Sequence, residues 1–156
     1  MFFFPFSGKS REGVHFKKGS FVGLDLSHDR FHMAKAVMEG VVFQTLWMLE
    51  SFAAKPSQDG LKLTGGASKS EVWSQLVADI SGLPIRIPEV ADMACVGAAI
   101  LAGVGCGIYQ DAAEGYSRLA VRERVIYPDL AKTEFYRSIQ EKYRKTAGIL
   151  GEAYEL

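Results

Sequence analysis

Helical and extended segments alternate along this chain, and that order limits the folds it can adopt. Apolar residues recur at three- and four-residue steps over residues 29–54, which predicts an amphipathic helix. Short apolar runs bounded by glycine or proline predict strands at residues 61–64 and 85–87, each followed by another helical segment. Strands that alternate with helices run parallel with right-handed crossovers, so we expect an α/β fold with helices packed on a small sheet.

The remaining segments set the expected domain organisation. Two further helices are predicted over residues 94–107 and 133–151, with an extended segment at 121–126. Residues 1–27 carry spaced glycines without clear periodicity and are expected to form an irregular lead-in. Because a stable sheet normally needs three or more strands, we expect residues 1–156 to be a single domain that lacks its first strands.

Composition excludes several classes of function. The 18 basic and 18 acidic residues balance, so whole-chain charge gives no case for binding nucleic acid or an anionic membrane. The long predicted helix carries Lys35 and Glu39, which argues against a membrane span, and Pro5 interrupts the short apolar start. Cys95 and Cys106 form no recognisable metal or disulfide pattern, and we expect two reduced, packed thiols in a cytoplasmic protein.

One strand-to-helix junction carries the strongest local signal for binding. The predicted strand ends at Thr64 and runs into Gly65 and Gly66, followed by Ser68 and Glu71 in the spacing of a capping box. Glycines let a ligand approach the backbone, and the free N–H groups at a helix start favour an anion. The order is typical of nucleotide-binding turns and equally of ordinary strand–helix turns, and it is not a P-loop.

A pair of histidines is the alternative candidate site. His28 and His32 have the spacing that zinc peptidases use, but metal sites need three or four ligands and the only other histidine is His15. We therefore expect a solvated helix start there, with no metal site and no catalytic residue in this chain. Five aspartates lie near predicted element ends, where capping accounts for them: Asp25, Asp29, Asp79, Asp92 and Asp111.

Four segments together resemble a known family. Residues 21–43 (FVGLDLSHDRFHMAKAVMEGVVF) are similar to a segment of FGGY carbohydrate kinases, and residues 63–73 resemble the G-G-x-x-x-S-x-x-W motif on the adenosine side of those enzymes. Residues 78–85 and 91–109 look like the strand entry and the small-residue helix that follow in the family. The resemblance covers nearly the whole chain in the same order, and xylulokinase-like and gluconokinase-like members look closest.

The resemblance implies a fold and a nucleotide site. It implies a partial ribonuclease-H-like domain of the actin/hexokinase type, with ATP and Mg²⁺ held in the cleft between two domains. The family's Gly-Gly loop lies against the adenosine and α-phosphate, which by position points to Gly65, Gly66 and Ala67, with Ser70 near the adenine or ribose. The family's general base, sugar pocket and Gly-Thr phosphate hairpin have no counterpart in this sequence.

Two functions follow as expectations. The first is an ATP-dependent sugar kinase, acting for example on xylulose or gluconate, in which this chain contacts ATP or ADP and the sugar reaches it only through a missing N-terminal domain. Phosphoryl transfer depends on positioning and charge stabilisation, so the chain alone is expected to be inactive. The alternative is a non-catalytic remnant that forms a homodimer or binds a partner through an exposed sheet edge and the surface of residues 2–6.

Overall fold

A computed structural model describes residues 1–5, 19–50, 52, 59–90 and 92–154. A 3-10 turn at Gly66–Lys69 separates the third strand from the second helix. The strands and helices are β1 (Phe2–Phe4), β2 (Ser20–Val22), α1 (Arg30–Leu49), β3 (Leu61–Lys62), α2 (Glu71–Ser81), β4 (Ile85–Pro88), α3 (Met93–Gly105), α4 (Ala112–Ser117), β5 (Glu123–Ile126) and α5 (Leu130–Tyr154).

The main sheet has three strands in the order β3-β4-β5. Strands β3 and β4 are parallel, with Leu61 opposite Ile85, which confirms the α/β order predicted from the sequence. The segment expected to be extended near residue 125 is β5, which pairs antiparallel with β4 and places Ile126 opposite Ile85. Helix α2 covers one face of this sheet and shares the small cluster of Ala78, Ile85 and Ile87 with it.

The expectation of an irregular lead-in was wrong for the described part of residues 1–27. Strands β1 and β2 form an antiparallel ribbon that pairs Phe2 with Val22 and Phe4 with Ser20. The ribbon lies on α1 at Gly40, where an added Cβ would stand 2.1 Å from the carbonyl oxygen of Phe3. Glycine therefore permits a backbone-to-backbone approach that any side chain would block.

The larger core joins the ribbon to α1, α2 and α5. Phe4 is fully buried and stacks on Tyr143 of α5, with ring centroids 4.4 Å apart. The surface of residues 2–6 proposed for self-association is therefore largely used inside the chain, and Phe6 lies outside the described residues. The other buried members of this cluster are Val42, Phe43, Trp47, Ile80, Tyr136 and Ala147.

Two large apolar side chains on the helices point outward. Phe135 of α5 is 57% exposed while its neighbour Tyr136 is buried, and Val72 of α2 is 71% exposed. The tyrosine is buried because its hydroxyl donates a hydrogen bond to Glu39 at 2.8 Å, which satisfies its polar end inside the core. Among the helices of the described ranges, none is long and apolar enough to cross a membrane.

Helix capping explains most of the aspartates. Asp29, Asp92 and Asp111 cap α1, α3 and α4, as the sequence predicts. Asp79 does not cap a helix: it is buried within α2 and accepts hydrogen bonds from Gln75 Nε2 at 2.8 Å and from the backbone N–H of residue 129 at 2.9 Å. Its carboxylate therefore fastens the start of α5 to α2.

Candidate functional site

A cleft of about 500 Å³ opens beyond the carboxyl ends of the parallel strands β3 and β4. In open α/β sheets, this is the end at which ligands bind. One wall is the turn that leaves β3, and the other is the segment that leads from β4 into α3. The first wall contributes Thr64, Gly65, Gly66, Ser68 and Lys69, and the second contributes Glu89, Val90, Asp92, Met93 and Ala94.

The two glycines present bare backbone to this cleft. Gly65 has φ of 79°, in the left-handed region where a side chain would be strained, so the turn itself requires glycine there. Gly66 does not have positive φ, and a Cβ added to it would meet no described atom within 4 Å. Neither packing nor backbone strain in the described chain explains Gly66, whose open side faces the cleft.

The predicted capping box between Ser68 and Glu71 was wrong. The 3-10 turn occupies Gly66–Lys69, so α2 begins later and Ser70 is its N-cap, accepting a hydrogen bond from Trp73 N at 3.3 Å. Ser68 instead donates its hydroxyl to the carbonyl oxygen of Gly65 at 2.7 Å. This bond closes the turn on itself and holds the two glycines in place.

The structure brings only part of the predicted nucleotide site together. Gly65 and Gly66 line the cleft, whereas Ala67 lines a separate groove between α1 and the sheet, beside Trp73. Ser70 does not contribute to the cleft lining, and its hydroxyl is engaged in capping α2. Lys69 also lines the cleft, but the sequence analysis did not name it as a site residue. The available signal was its position directly before Ser70, the N-cap of α2.

The second wall could not be found from local sequence patterns. Asp92 was recognised as a helix cap, but only the fold places it across the cleft from the glycine turn. Its carboxylate accepts hydrogen bonds from Ala94 N at 2.9 Å and Cys95 N at 3.2 Å. These backbone bonds, with a smaller contribution from the charge of Lys69, hold the pKa of Asp92 below its usual value.

The cleft therefore combines groups suited to binding a polar, anionic ligand. Lys69 supplies a cation, the glycine turn supplies open backbone, and α3 points its N-terminus into the space. Across the described residues, no three His, Cys, Asp or Glu side chains are grouped to hold a metal ion. The described side chains alone therefore do not form a Mg²⁺ site.

The two histidines of the alternative site pair with aspartates. His32 Nδ1 lies 2.7 Å from Asp29 Oδ1, and His28 Nδ1 lies 3.1 Å from Asp25 Oδ1. His32 also completes a capping box at the start of α1 through the backbone N–H of Asp29. These contacts give both imidazoles a role in shaping the start of the helix.

The expectation of packed thiols was wrong. Cys95 and Cys106 lie near the two ends of α3, and both are exposed and reduced. Helix α3 turns Ile100 and Gly103 inward, towards α4 and Tyr109, and this orientation leaves the cysteines outside. The small residues of α3 therefore serve close packing at Gly103 but not at Gly97 or Gly105, where an added Cβ would meet no described atom within 4 Å.

Two curated proteins with a similar sequence are kinases of small molecules. The L-xylulose/3-keto-L-gulonate kinase of Escherichia coli K12 is 35% identical over 151 residues, which cover 96% of this chain and 30% of that enzyme. The autoinducer-2 kinase of Escherichia coli K12 is 36% identical over 130 residues, 80% of this chain and 24% of the relative. This chain thus spans about 30% of the length of the first relative.

Solved structures agree with the sequence comparison. The ligand-bound xylulose kinase of Lactobacillus acidophilus superposes with a TM-score of 0.80 at 27% identity, covering 99% of this chain and 32% of that one. The gluconate kinase of the same organism gives a TM-score of 0.77 at 28% identity, with the same coverage. These enzymes have the actin/hexokinase-like ATPase fold, which confirms the predicted fold class.

The family assignment rests on one further match. The sequence profile described as the C-terminal domain of the FGGY family of carbohydrate kinases matches residues 7–106, which is well over half of the chain. The match includes β3, the glycine turn, α2, β4 and α3, the elements that enclose the cleft. The chain therefore belongs to the FGGY family of carbohydrate kinases, through the family's C-terminal domain.

Proposed function

We propose that the cleft between the glycine turn and α3 binds the nucleotide of an ATP-dependent sugar kinase. The observation that carries this proposal is the open backbone of Gly66, which faces the cleft at the carboxyl ends of two parallel strands. A flat purine or a ribose can approach such backbone closely because no Cβ intervenes. Membership of a family of carbohydrate kinases supports ATP or ADP as the ligand.

Different residues of the cleft would contact different parts of the nucleotide. Lys69 provides positive charge for a phosphate. The Asp92 carboxylate is negatively charged near neutral pH, so it favours a hydrogen bond from a ribose hydroxyl and disfavours a phosphate beside it. The adenosine then lies towards Asp92 and the phosphates lie towards Lys69. Ala67 and Ser70 stay predictions from the family, without a place in the cleft lining.

The chemical step needs groups beyond this cleft. Its described lining holds Lys69, Glu89 and Asp92, but no paired acid and base for activating a sugar hydroxyl. We propose that the complete reaction transfers the γ-phosphate to a hydroxyl of a sugar or sugar acid, such as xylulose or gluconate, in the cytoplasm. Mg²⁺ would arrive with the phosphates, and this chain alone should show no turnover.

Nucleotide titration of two glycine variants tests the proposal. Isothermal titration of the chain with ADP or Mg–ATP should give saturable binding, which Gly66→Val should abolish because the added side chain enters the cleft. Gly105→Val is the matched control, since an added Cβ there also meets no described atom within 4 Å but lies at the far end of α3. Equal binding by Gly66→Val and the wild-type chain would refute this site.

One observation favours self-association as a second candidate. Strand β3 lies at the edge of the sheet, beside an apolar groove of about 330 Å³ that Leu61, Leu63 and Val77 help to line. An exposed strand edge is a template for pairing with another chain. Light scattering after size exclusion should show a dimer that Leu63→Lys disrupts, whereas a clean monomer would exclude this candidate.

A further inference from the structure

The α3 end of the second wall belongs to a part of the chain that packs separately from the sheet. Helices α3 and α4 pack chiefly on each other and form a hairpin, defined here as residues 93–117. Their contact is tight, because a Cβ added to Gly115 would lie 2.6 Å from Ile100 Cγ2 and one added to Gly103 would lie 2.7 Å from the Tyr109 ring. The hairpin therefore carries the α3 end of the second wall, Met93 and Ala94, which directly follows Asp92, the N-cap of α3.

One side-chain contact joins this hairpin to the strand that carries the first wall. Lys62 Nζ donates a hydrogen bond to Tyr116 Oη at 2.6 Å, and the same ammonium lies 4.8 Å from the centre of the Tyr116 ring. Lys62 ends β3, directly before Leu63 and Thr64 lead into the glycine turn. Tyr116 lies on α4, so the contact joins the hairpin to the strand that precedes the glycine turn.

The contact is fixed on its sheet side by further charges. Lys62 lies 3.0 Å from Glu123 of β5, and Glu123 lies 3.4 Å from Arg86 of β4. The hydrogen bond to Tyr116 and then that to Glu123 raise the pKa of Lys62, and Lys62 in turn lowers the pKa of Glu123. Both groups are charged near neutral pH, and Lys62 is held between Tyr116 and Glu123.

From this juxtaposition, and resting on the nucleotide site proposed above, we propose that Lys62 and Tyr116 are positioning residues that set the separation of the two walls around the nucleotide. The strand fixes Lys62 relative to Gly65, and the hairpin core fixes Tyr116 relative to Asp92. Loss of the contact leaves the glycine turn and the start of α3 intact and frees the distance between them. A ligand that touches both walls then binds more weakly, because part of its binding free energy must hold the hairpin in place.

Conservative variants separate this role from general stability. Tyr116→Phe keeps the ring but removes the hydroxyl, and it should weaken ADP binding about fivefold, the typical scale of one hydrogen bond. Tyr127→Phe is the matched control, because Tyr127 is 70% exposed and lies outside the cleft lining. Lys62→Arg should retain most of the affinity by keeping a cationic donor, whereas Lys62→Met should lower it as Tyr116→Phe does.

The two exposed cysteines give a readout that does not depend on nucleotide affinity. Cys95 lies in the first turn of α3, next to the cleft, and Cys106 caps the other end of that helix. Without nucleotide, Tyr116→Phe should change the rate at which a thiol reagent modifies Cys95 by at least about twofold while leaving Cys106 unchanged. With ADP, protection of Cys95 should require about fivefold more nucleotide in the variant.

The outcomes distinguish this inference from the proposed function. Unchanged ADP binding and unchanged Cys95 reactivity in both Tyr116→Phe and Lys62→Met would overturn the positioning role while leaving the nucleotide site standing. A wild-type chain that binds no ADP would refute the nucleotide site, and Cys95 reactivity would then still report whether the contact sets the wall separation. Far-ultraviolet circular dichroism and thermal melting identify any variant that fails to fold, in which case Lys62→Arg decides the question.

Discussion

Replacing Gly40 by alanine should destabilise the chain, although alanine normally stabilises a helix. Gly40 lies in the interior of α1, where glycine costs about 1 kcal/mol relative to alanine. The added methyl group would lie 2.1 Å from the carbonyl oxygen of Phe3 and 3.0 Å from its carbonyl carbon. Both atoms belong to the backbone of β1, so no side-chain rotation can relieve the contact.

The size of the effect follows from how far the ribbon must move. Reaching an ordinary contact requires β1 to retreat from α1 by about 1.3 Å, which loosens the packing of Phe4 on Tyr143. Overpacking of this kind costs about 3 kcal/mol at the upper end of the usual range, and the gain in helix propensity offsets about 1 kcal/mol. We expect a net loss of about 2 kcal/mol, or a decrease of about 4–8 °C in the melting temperature.

Urea denaturation followed by circular dichroism measures this difference directly, with Gly148→Ala as the matched control. Gly148 also lies inside a long helix, but an added Cβ there meets no described atom within 4 Å. The control should therefore gain about 0.5–1 kcal/mol of unfolding free energy. The reasoning is refuted if Gly40→Ala is as stable as Gly148→Ala, since the ribbon would then not lie against α1 as described.

Three further predictions concern other parts of the chain. Asp79→Ala should lower the unfolding free energy by about 2 kcal/mol in urea denaturation, because it leaves Gln75 and the N–H of Asp129 without their buried acceptor. Hydrogen bonding to Lys62 lowers the pKa of Glu123 from its ordinary 4.5, so the stability this group contributes is present above pH 4.5 and lost as pH falls through the lowered value. The unfolding free energy, measured by denaturation at several pH values from 6 to about 3, should therefore decrease less steeply with falling pH for Glu123→Gln than for the wild-type chain. Both cysteines should react with a thiol reagent in the native state, and finding only one accessible thiol would contradict the exposure of α3.

Local chemistry explains what the sequence could predict. Apolar periodicity located the helices, although α1 begins at Arg30 and ends at Leu49, before the limit of 54 that the pattern predicted. Asp92 and Asp111 were recognisable as caps because a cap acts on backbone groups two or three residues away. The glycine turn after β3 and the resemblance to the family were likewise recognised from short, contiguous motifs. Each of these features depends on residues that are neighbours in sequence.

The tertiary structure decided the features that depend on distant residues. The strands of the β1–β2 ribbon have only three residues each, which is too short for a periodic signal in the sequence. The position of the ribbon depends on the close approach of the Phe3 backbone to Gly40 of α1. The second wall of the cleft faces the first only because β3 and β4 run parallel and end together. The contact between Lys62 and Tyr116 joins residues 54 positions apart. Sequence thus determined the longer helices, the main-sheet strands and the family. The β1–β2 ribbon and the width and lining of the cleft come from packing between elements, because no local pattern records which distant side chains will meet.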